Sequence, residues 1–123
     1  MSSGHTVSTR PSDDHVEVAV KGVVVATSDR PVLLDETGIP TRYYLPRDDV
    51  RMELFRPTTF RTHCPFKGDA SYWSLDLDGE IIDGIVWSYE TPLPGAGEIT
   101  GHLCFYPDRV DLSVTPSTPA SEA

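Results

Sequence analysis

Residues 62–73 concentrate the side chains of this sequence that can do chemistry. Within that stretch the chain carries an imidazole at His63, a thiol at Cys64 and an ammonium at Lys67. A thiol becomes a nucleophile when a nearby positive group favours its ionised form. Cys64 and Lys67 are therefore the candidate catalytic pair. The alternative for Cys64 is an inert thiol that packs as a small hydrophobic side chain.

Lys67 has a second possible role. It precedes Gly68, so the backbone there can approach a ligand closely or adopt a positive φ. A lysine on such a turn can hold a phosphate or a carboxylate as a point charge. Six of the ten lysines and arginines fall in residues 42–67, against three acidic residues. This basic window either focuses a small anion or is a solvated basic face balanced by acidic neighbours. For Lys67 itself, the alternative is an exposed lysine without a partner.

Other side chains are expected to line a cleft around residues 62–73. Neighbouring aromatics on a strand point to opposite faces of the sheet, so one of each pair can face the core and the other the cleft. Two acids, each before a proline-containing loop, are either cleft residues or surface carboxylates. The predicted ligand-binding residues are Tyr44, His63, Tyr72, Trp87, Glu90 and Glu36.

The histidines and cysteines do not have the spacing of a zinc site. His63 and Cys64 are adjacent, so their side chains point apart in an extended segment. His102 and Cys104 do not provide the Cys-x-x-Cys ligand spacing that is usual in zinc sites. The sequence therefore predicts no metal and no cofactor. Two cysteines in a cytoplasmic protein are expected to be free thiols.

Length and charge limit the classes of function. The chain has 123 residues, enough for one domain, and a formal net charge of -9. This acidic balance argues against a protein that binds nucleic acid by neutralising phosphates. No apolar run reaches membrane-spanning length, and the N-terminus lacks a signal-peptide core. We expect a cytoplasmic monomer or homodimer with a small-molecule partner, and no nucleic-acid or membrane partner.

Period-two alternation and close turns dominate the middle of the chain. The pattern predicts seven to nine short strands, with hairpins at Lys21-Gly22 and Asp78-Gly79 and a bulge near Asp83-Gly84. Residues 56–61 are predicted to be irregular or briefly extended, and residues 47–54 and 95–101 to form short helical turns. The predicted fold is mostly β: an antiparallel barrel- or sandwich-like sheet in one domain over residues 15–114, with disordered tails at 1–14 and 115–123.

Three motifs in order resemble the bacterial and fungal domain-of-unknown-function family 427, over roughly residues 16–112. The resemblance implies a small, mostly β domain, and the family's activity is not established. Phe66 stands where that motif often carries Tyr. The motifs are Glu36-x-x-x-Pro40-x-x-Tyr43-Tyr44-x-Pro46-x-x-Asp49-Val50, Thr62-x-Cys64-Pro65-Phe66-Lys67-Gly68-x-Ala70-x-Tyr72-Trp73, and Trp87-Ser88-Tyr89-Glu90-x-Pro92 continuing to Gly101-His102-x-x-Phe105-Tyr106.

The family is sometimes labelled nucleotidyltransferase-like, but the sequence lacks the parts that this chemistry needs. Nucleotidyl transfer uses carboxylates that hold Mg²⁺ and a glycine-rich or lysine cradle for phosphates. No glycine-rich phosphate loop and no paired-carboxylate motif occur here. The label is therefore the only support for that activity.

Two functions from different classes remain open. The first is a small-molecule binding or catalytic domain with an anion-friendly cleft. The second is a structural or protein-interaction module without catalytic activity. The first requires a concave pocket in which Lys67, Cys64 and an aromatic ring converge. The second requires Lys67 to point to bulk water and Cys64 to be sealed in apolar packing.

Overall fold

Alternating apolar and polar residues keep most of this chain extended. The computed structural model describes residues 6–65 and 67–116, and in that part of the chain it contains ten strands, joined by antiparallel ladders. The strands are β1 (Val7–Pro11), β2 (His15–Val20), β3 (Val23–Ser28), β4 (Val32–Glu36), β5 (Ile39–Leu45), β6 (Phe55–Cys64), β7 (Gly68–Leu77), β8 (Glu80–Tyr89), β9 (Leu103–Phe105) and β10 (Asp111–Thr115).

The strands form two sheets. The large sheet has the order β1-β4-β5-β9-β8-β7-β6, and the small sheet has the order β10-β2-β3. The large sheet does not close into a barrel, and the two sheets form a sandwich. The predicted mostly β, antiparallel fold is therefore confirmed.

The main core lies between the two sheets. Val16, Val18 and Val20 alternate along β2 and are buried against residues of the large sheet such as Leu75 and Phe105. Glu17 and Ala19, which lie between the valines, face away, because successive side chains of a strand point to opposite faces. This packing covers only one face of the large sheet.

The opposite face of the large sheet carries a second cluster of buried side chains. Tyr44, Tyr72, Trp87, Tyr89 and Cys104 belong to it. A 3-10 turn at Pro94–Ile99 adds Ala96 and Ile99 to the same cluster. We call this side of the large sheet the aromatic face.

The turns follow the sequence prediction closely. Lys21 and Gly22 between β2 and β3, and Asp78 and Gly79 between β7 and β8, all have positive φ. This is the geometry of the two-residue hairpin turns that match strand twist. The β7–β8 register shifts between Trp73 and Leu75, opposite the predicted bulge in β8. The other predicted helical turns are the 3-10 turns Arg47–Asp49 and Met52–Leu54.

Residues 56–61, predicted to be irregular or briefly extended, lie within the ten-residue edge strand β6 and are therefore extended over a longer range than predicted. Pairing with β7 supplies backbone partners that local sequence does not reveal, and tertiary context of this kind overrides propensity. Pro57 is tolerated because an edge strand has backbone positions that need no donor. The register shifts between Pro57 and Arg61, so the irregularity survives as a bulge.

The predicted tail over residues 1–14 is also different in part, because Val7–Pro11 is a strand that pairs with β4. Its side chains add contacts: Thr9 hydrogen-bonds Glu98 at 2.5 Å, and Arg10 pairs with Asp35 at 3.0 Å. The pairing satisfies backbone groups of β4 that would otherwise form an open edge. At the other end β10 runs one residue past the predicted boundary, to Thr115. The remaining tail residues, 1–5 and 117–123, and Phe66 lie outside the described residues.

Within the described residues, no helix has the length and apolar composition needed to cross a membrane.

Candidate functional site

Lys67 sits in the tight turn between β6 and β7. Its backbone N–H donates to the carbonyl of Cys64 at 3.2 Å, and its carbonyl accepts from the N–H of Leu93 at 2.9 Å. Gly68 has φ +111°, and a Cβ there would lie 3.4 Å from the backbone of Pro92. The positive φ and the close passage of this loop explain why glycine follows the lysine.

The ammonium of Lys67 is turned inward. Its Nζ lies 2.6 Å from Oε1 of Glu36 and 5.8 Å from the centre of the Tyr89 ring. The side chains of Lys67 and Glu36 are only 10% and 7% exposed. Their charges therefore compensate each other inside the protein, since a buried charge is tolerated only when it is paired.

This ion pair joins two distant parts of the large sheet. Glu36 ends β4, and Lys67 precedes β7, with three strands between them in the sheet order. Four strand spacings in a flat sheet would be roughly 19 Å. The turn and the strand end must therefore fold toward each other over the aromatic face.

The two cysteines differ in environment. Both are free thiols, with Cys104 buried and Cys64 half-buried. Burial raises the pKa of Cys104 to about 12, which keeps it protonated at neutral pH. Cys64 packs against the cluster of the aromatic face. Cys104 is therefore a packing residue, and Cys64 is the thiol that solvent can reach.

Aromatic rings form a row across the strands of the aromatic face. The centres of Phe60 and Tyr72 are 4.9 Å apart, those of Trp87 and Tyr106 are 4.6 Å apart, and those of Tyr44 and Trp87 are 6.4 Å apart. Trp87 Nε1 donates to the Tyr44 hydroxyl at 3.1 Å. These separations are those of favourable tilted and edge-to-face pairs.

Hydroxyl groups connect the row to the strand that carries the motif. The Tyr72 hydroxyl lies 2.9 Å from Oγ1 of Thr62. Burial, and then a hydrogen bond with Tyr72, raises the pKa of Tyr106 to about 12. Burial also raises the pKa of Tyr44 and of Tyr89 above its usual value. These phenols are therefore hydrogen-bonding groups at neutral pH, and they carry no charge.

The open part of the aromatic face is a cleft of about 630 Å³. Phe60, Tyr72 and Tyr106 supply its rings, and Asp83, Asp108 and Arg109 supply its charges. Its remaining lining residues are Thr58, Thr59, Ser74 and Gly84. We call this space the aromatic cleft.

A second depression of about 660 Å³ lies beside the hairpin turns and is lined by residues 19–21, 80–83 and 108–111. It shares Asp83, Asp108 and Arg109 with the aromatic cleft. None of its lining residues is aromatic. Ligand pockets usually combine apolar or aromatic walls with a few polar groups. The aromatic cleft therefore fits a ligand site better than the slightly larger depression.

The structure brings most of the predicted site residues to one side of the sheet. Tyr44, Tyr72 and Trp87 belong to the cluster of the aromatic face, and Cys64 packs against it. Lys67 and Glu36 meet beside Tyr89 of the same cluster. Of these residues, Tyr72 also lines the aromatic cleft.

Two predicted site residues lie elsewhere. His63 is exposed, and its Nδ1 lies 2.7 Å from Asp69, its partner across the β6–β7 ladder. Glu90 pairs with Arg47 at 2.7 Å and accepts a hydrogen bond from Ser88. Ser88 also accepts from Trp73 Nε1 at 3.3 Å, on the side of the main core. Strand alternation explains the placement, because Glu90 is an odd number of residues from Trp87.

Of the ten residues that line the aromatic cleft, the sequence predicts Tyr72 alone as a site residue. Phe60 lies in the segment predicted to be irregular or briefly extended, and the sequence indicates no site role for Asp83, Asp108 or Arg109. Tyr106 is two residues from Cys104, so in an extended segment the two side chains share a face, but Tyr106 is not among the predicted site residues. That alternation with Cys104 is the sequence signal that indicates Tyr106.

Most of the basic window is neutralised. Four of its six cations pair with carboxylates, in the pairs Arg47–Glu90, Arg51–Glu53, Arg56–Asp76 and Lys67–Glu36. Arg61 donates to main-chain carbonyls, and Arg42 lies 5.4 Å from the centre of the Trp87 ring. This pattern favours a basic segment balanced by acidic neighbours over an anion-focusing surface, with Lys67 as its buried member.

No cluster of three or more His, Cys, Asp or Glu side chains suited to a metal ion occurs in residues 6–65 and 67–116. His102 instead places its Nδ1 3.0 Å from the carbonyl of Thr100.

The antiparallel sandwich with its aromatic face defines a small all-β protein. Residues 8–116 match the family model described as "Domain of unknown function (DUF427)", and the chain belongs to this family. The match confirms the resemblance that the three motifs indicated, and it extends that resemblance into β1 and β10. A search of the curated proteins gave no significant match.

Proposed function

We propose that this protein binds a small organic molecule in the aromatic cleft. The observation that carries the proposal is a cleft of about 630 Å³ whose walls include Phe60, Tyr72 and Tyr106. Its volume lies within the range of roughly 300–1,000 Å³ found for ligand pockets. The cleft also lies on the face of the large sheet that the small sheet leaves uncovered.

Under this proposal, the motif of residues 62–73 contributes to binding through Tyr72. Thr62 holds the Tyr72 hydroxyl at 2.9 Å and so orients the ring. The buried ion pair between Lys67 and Glu36 holds the β6–β7 turn over the aromatic face. The cleft lining includes neither Cys64 nor Lys67, so the pocket in which both converge with an aromatic ring is not the one on which this proposal rests. Catalysis by Cys64 stays a separate prediction.

The charges of the cleft do not support the anionic ligand expected from the basic window. Two carboxylates, Asp83 and Asp108, lie in the lining with one guanidinium, Arg109. A phosphate group would meet these carboxylates. Nucleotidyl transfer therefore gains no support from the cleft and rests on the family label alone.

A protein-interaction module is the second candidate. Phe60 is 59% exposed on the edge strand β6, and an open edge can pair with a strand of another chain. Pro57 and the register shift near it make this edge irregular. Such irregularity opposes strand addition, so we place the ligand-binding function first.

Under the same proposal, the protein works in the cytoplasm as a monomer or homodimer, without nucleic-acid or membrane partners. Its formal net charge of -9 supports the absence of a nucleic-acid partner, because phosphates and acidic surfaces repel each other.

A ligand screen with a matched pair of variants tests the proposal. We expect compounds found by thermal shift and ligand-detected NMR to lose binding in Phe60→Ala. Binding should persist in Ile81→Ala, which removes an apolar side chain 52% exposed outside the cleft. Hits that bind both variants equally, or a broad metabolite screen without any hit, would contradict the proposal.

A further inference from the structure

The acidic and basic side chains of the aromatic cleft differ in how they are paired. Among the contacts of the described residues, Asp83 has a long hydrogen bond of 3.5 Å from Ser74, and no basic side chain pairs with Asp83 or Asp108. Arg109 donates to the carbonyls of Asp83 and Gly84 at 2.9 and 3.3 Å. The guanidinium is thus held by main-chain oxygens, and the two carboxylates keep their charge available at the cleft.

The ring faces near the cleft already accept cations from the protein itself. The guanidinium carbon of Arg109 lies 5.8 Å from the centre of the Tyr106 ring, and that of Arg42 lies 5.4 Å from the centre of Trp87. The electron-rich face of an aromatic ring attracts a cation at this range. Phe60 and Tyr72 add two further rings to the cleft.

A binding site that combines aromatic rings with carboxylates favours an organic cation over a neutral or anionic ligand. A quaternary or protonated amine gains from ring faces, while nearby carboxylates balance its charge. The acidic chain, with its formal net charge of -9, also raises the local concentration of cations. Resting on the proposed cleft function, we propose that the ligand of the aromatic cleft is a small organic cation whose ammonium group contacts the rings of Phe60, Tyr72 and Tyr106.

Three compounds that share a branched trimethyl group and differ in charge test the inference. The cation is choline, the neutral probe is its carbon isostere with carbon in place of nitrogen, and the anion is pivalate, which keeps the same branched group. We expect isothermal titration to give choline roughly a ten-fold higher affinity than its isostere, as a partly desolvated cation–π contact provides. Pivalate should be the weakest of the three.

Charge variants at the rim add a test of sign. Asp83→Asn and Asp108→Asn should each weaken choline binding by a larger factor than binding of the neutral isostere. Asp78→Asn is the matched control, because it removes an equal charge outside the cleft lining and Asn tolerates the positive φ of that turn. Arg109→Gln keeps hydrogen-bond donors but removes the competing cation, so it should strengthen choline binding and weaken pivalate binding.

The outcomes separate this inference from the proposed function. If the carbon isostere or pivalate binds as tightly as choline, or if Arg109→Gln weakens choline, the ligand is not a cation, although the cleft still binds small molecules. If choline fails to bind while neutral compounds bind in a Phe60-dependent manner, the cationic inference is likewise overturned. If no probe and no screened compound depends on Phe60, the proposed function itself fails.

Discussion

The ammonium of Lys67 and the carboxylate of Glu36 meet at 2.6 Å, with side chains only 10% and 7% exposed. They come from the β6–β7 turn and the end of β4, which are not neighbours in the sheet. This relationship changes the role expected of Lys67. A surface lysine would be dispensable for the fold, whereas this one compensates a buried carboxylate.

Lys67→Met should destabilise the protein strongly. The substitution keeps the apolar stem and removes the charge, so the Glu36 carboxylate stays buried without its ammonium partner. Breaking a buried ion pair from one side costs about 3–5 kcal/mol. Urea unfolding of the variant measures the loss in the free energy of unfolding.

Two controls qualify this measurement. Lys21→Met breaks the exposed pair with Glu80, whose side chains are 57% and 56% exposed, and should cost at most about 1 kcal/mol. The double variant Lys67→Met/Glu36→Gln should recover much of the loss, because no uncompensated charge remains. A Lys67→Met variant as stable as Lys21→Met would show that the pair does not hold the fold.

Strand alternation explains how much of this site could be predicted. It separates Tyr43 from Tyr44 and Tyr72 from Trp73. In the structure Tyr44 and Tyr72 lie on the aromatic face, and Tyr43 and Trp73 pack against the main core. Alternation also excludes Glu90 from the face that holds Trp87. The sequence can therefore assign faces wherever a strand is regular.

The contact between Lys67 and Glu36 could not be predicted in this way. It depends on how the sheet folds over its aromatic face, and no local pattern encodes the distance between two turns that are 31 residues apart. Phe60 was missed for a related reason, since β6 becomes a strand through its ladder with β7. Both the contact between Lys67 and Glu36 and the position of Phe60 depend on contacts between residues far apart in the sequence.

The two cysteines should differ in their rate of alkylation. Cys104 is buried, and burial raises its pKa to about 12, so the native protein should protect it from iodoacetamide near neutral pH. Cys64 is half-buried and should react first. Mass spectrometry of peptides from briefly labelled native protein gives the order.

Labelling in urea is the control for this experiment, because both thiols should react once the chain is unfolded. Cys64→Ser should abolish the fast labelling and leave the slow phase. Equal rates for the two thiols in the native protein would contradict their assigned environments. Turnover that survives Cys64→Ser would exclude the predicted nucleophile.

Strand β1 should contribute measurably to stability. It pairs with β4 through five residue positions and adds the contacts Thr9–Glu98 and Arg10–Asp35. A chain lacking residues 2–11 should therefore melt several degrees below one lacking residues 2–5, because only the longer deletion removes β1. Melting of both chains by circular dichroism measures the difference, and identical melting temperatures would show that β1 is dispensable.

Alkaline pH should reveal the buried phenols. Burial is the main cause that raises the pKa of Tyr44, Tyr89 and Tyr106, the last to about 12. An unfolded tyrosine has a pKa of about 10. These phenols therefore favour the folded state fully below about pH 10 and lose that contribution as the pH rises through the folded values. We expect the free energy of unfolding to fall between about pH 10 and 12.

The ultraviolet absorbance of tyrosinate measures this directly. Near pH 11, roughly midway between these values, the native chain should show less tyrosinate than the urea-unfolded chain, by up to three of its five tyrosines. Tyr106→Phe should shrink that difference by one phenol, while circular dichroism verifies that the fold persists. Full ionisation of all five tyrosines in a chain that still has its native circular dichroism would show that these hydroxyls are open to solvent, and the aromatic face would then not be packed as described.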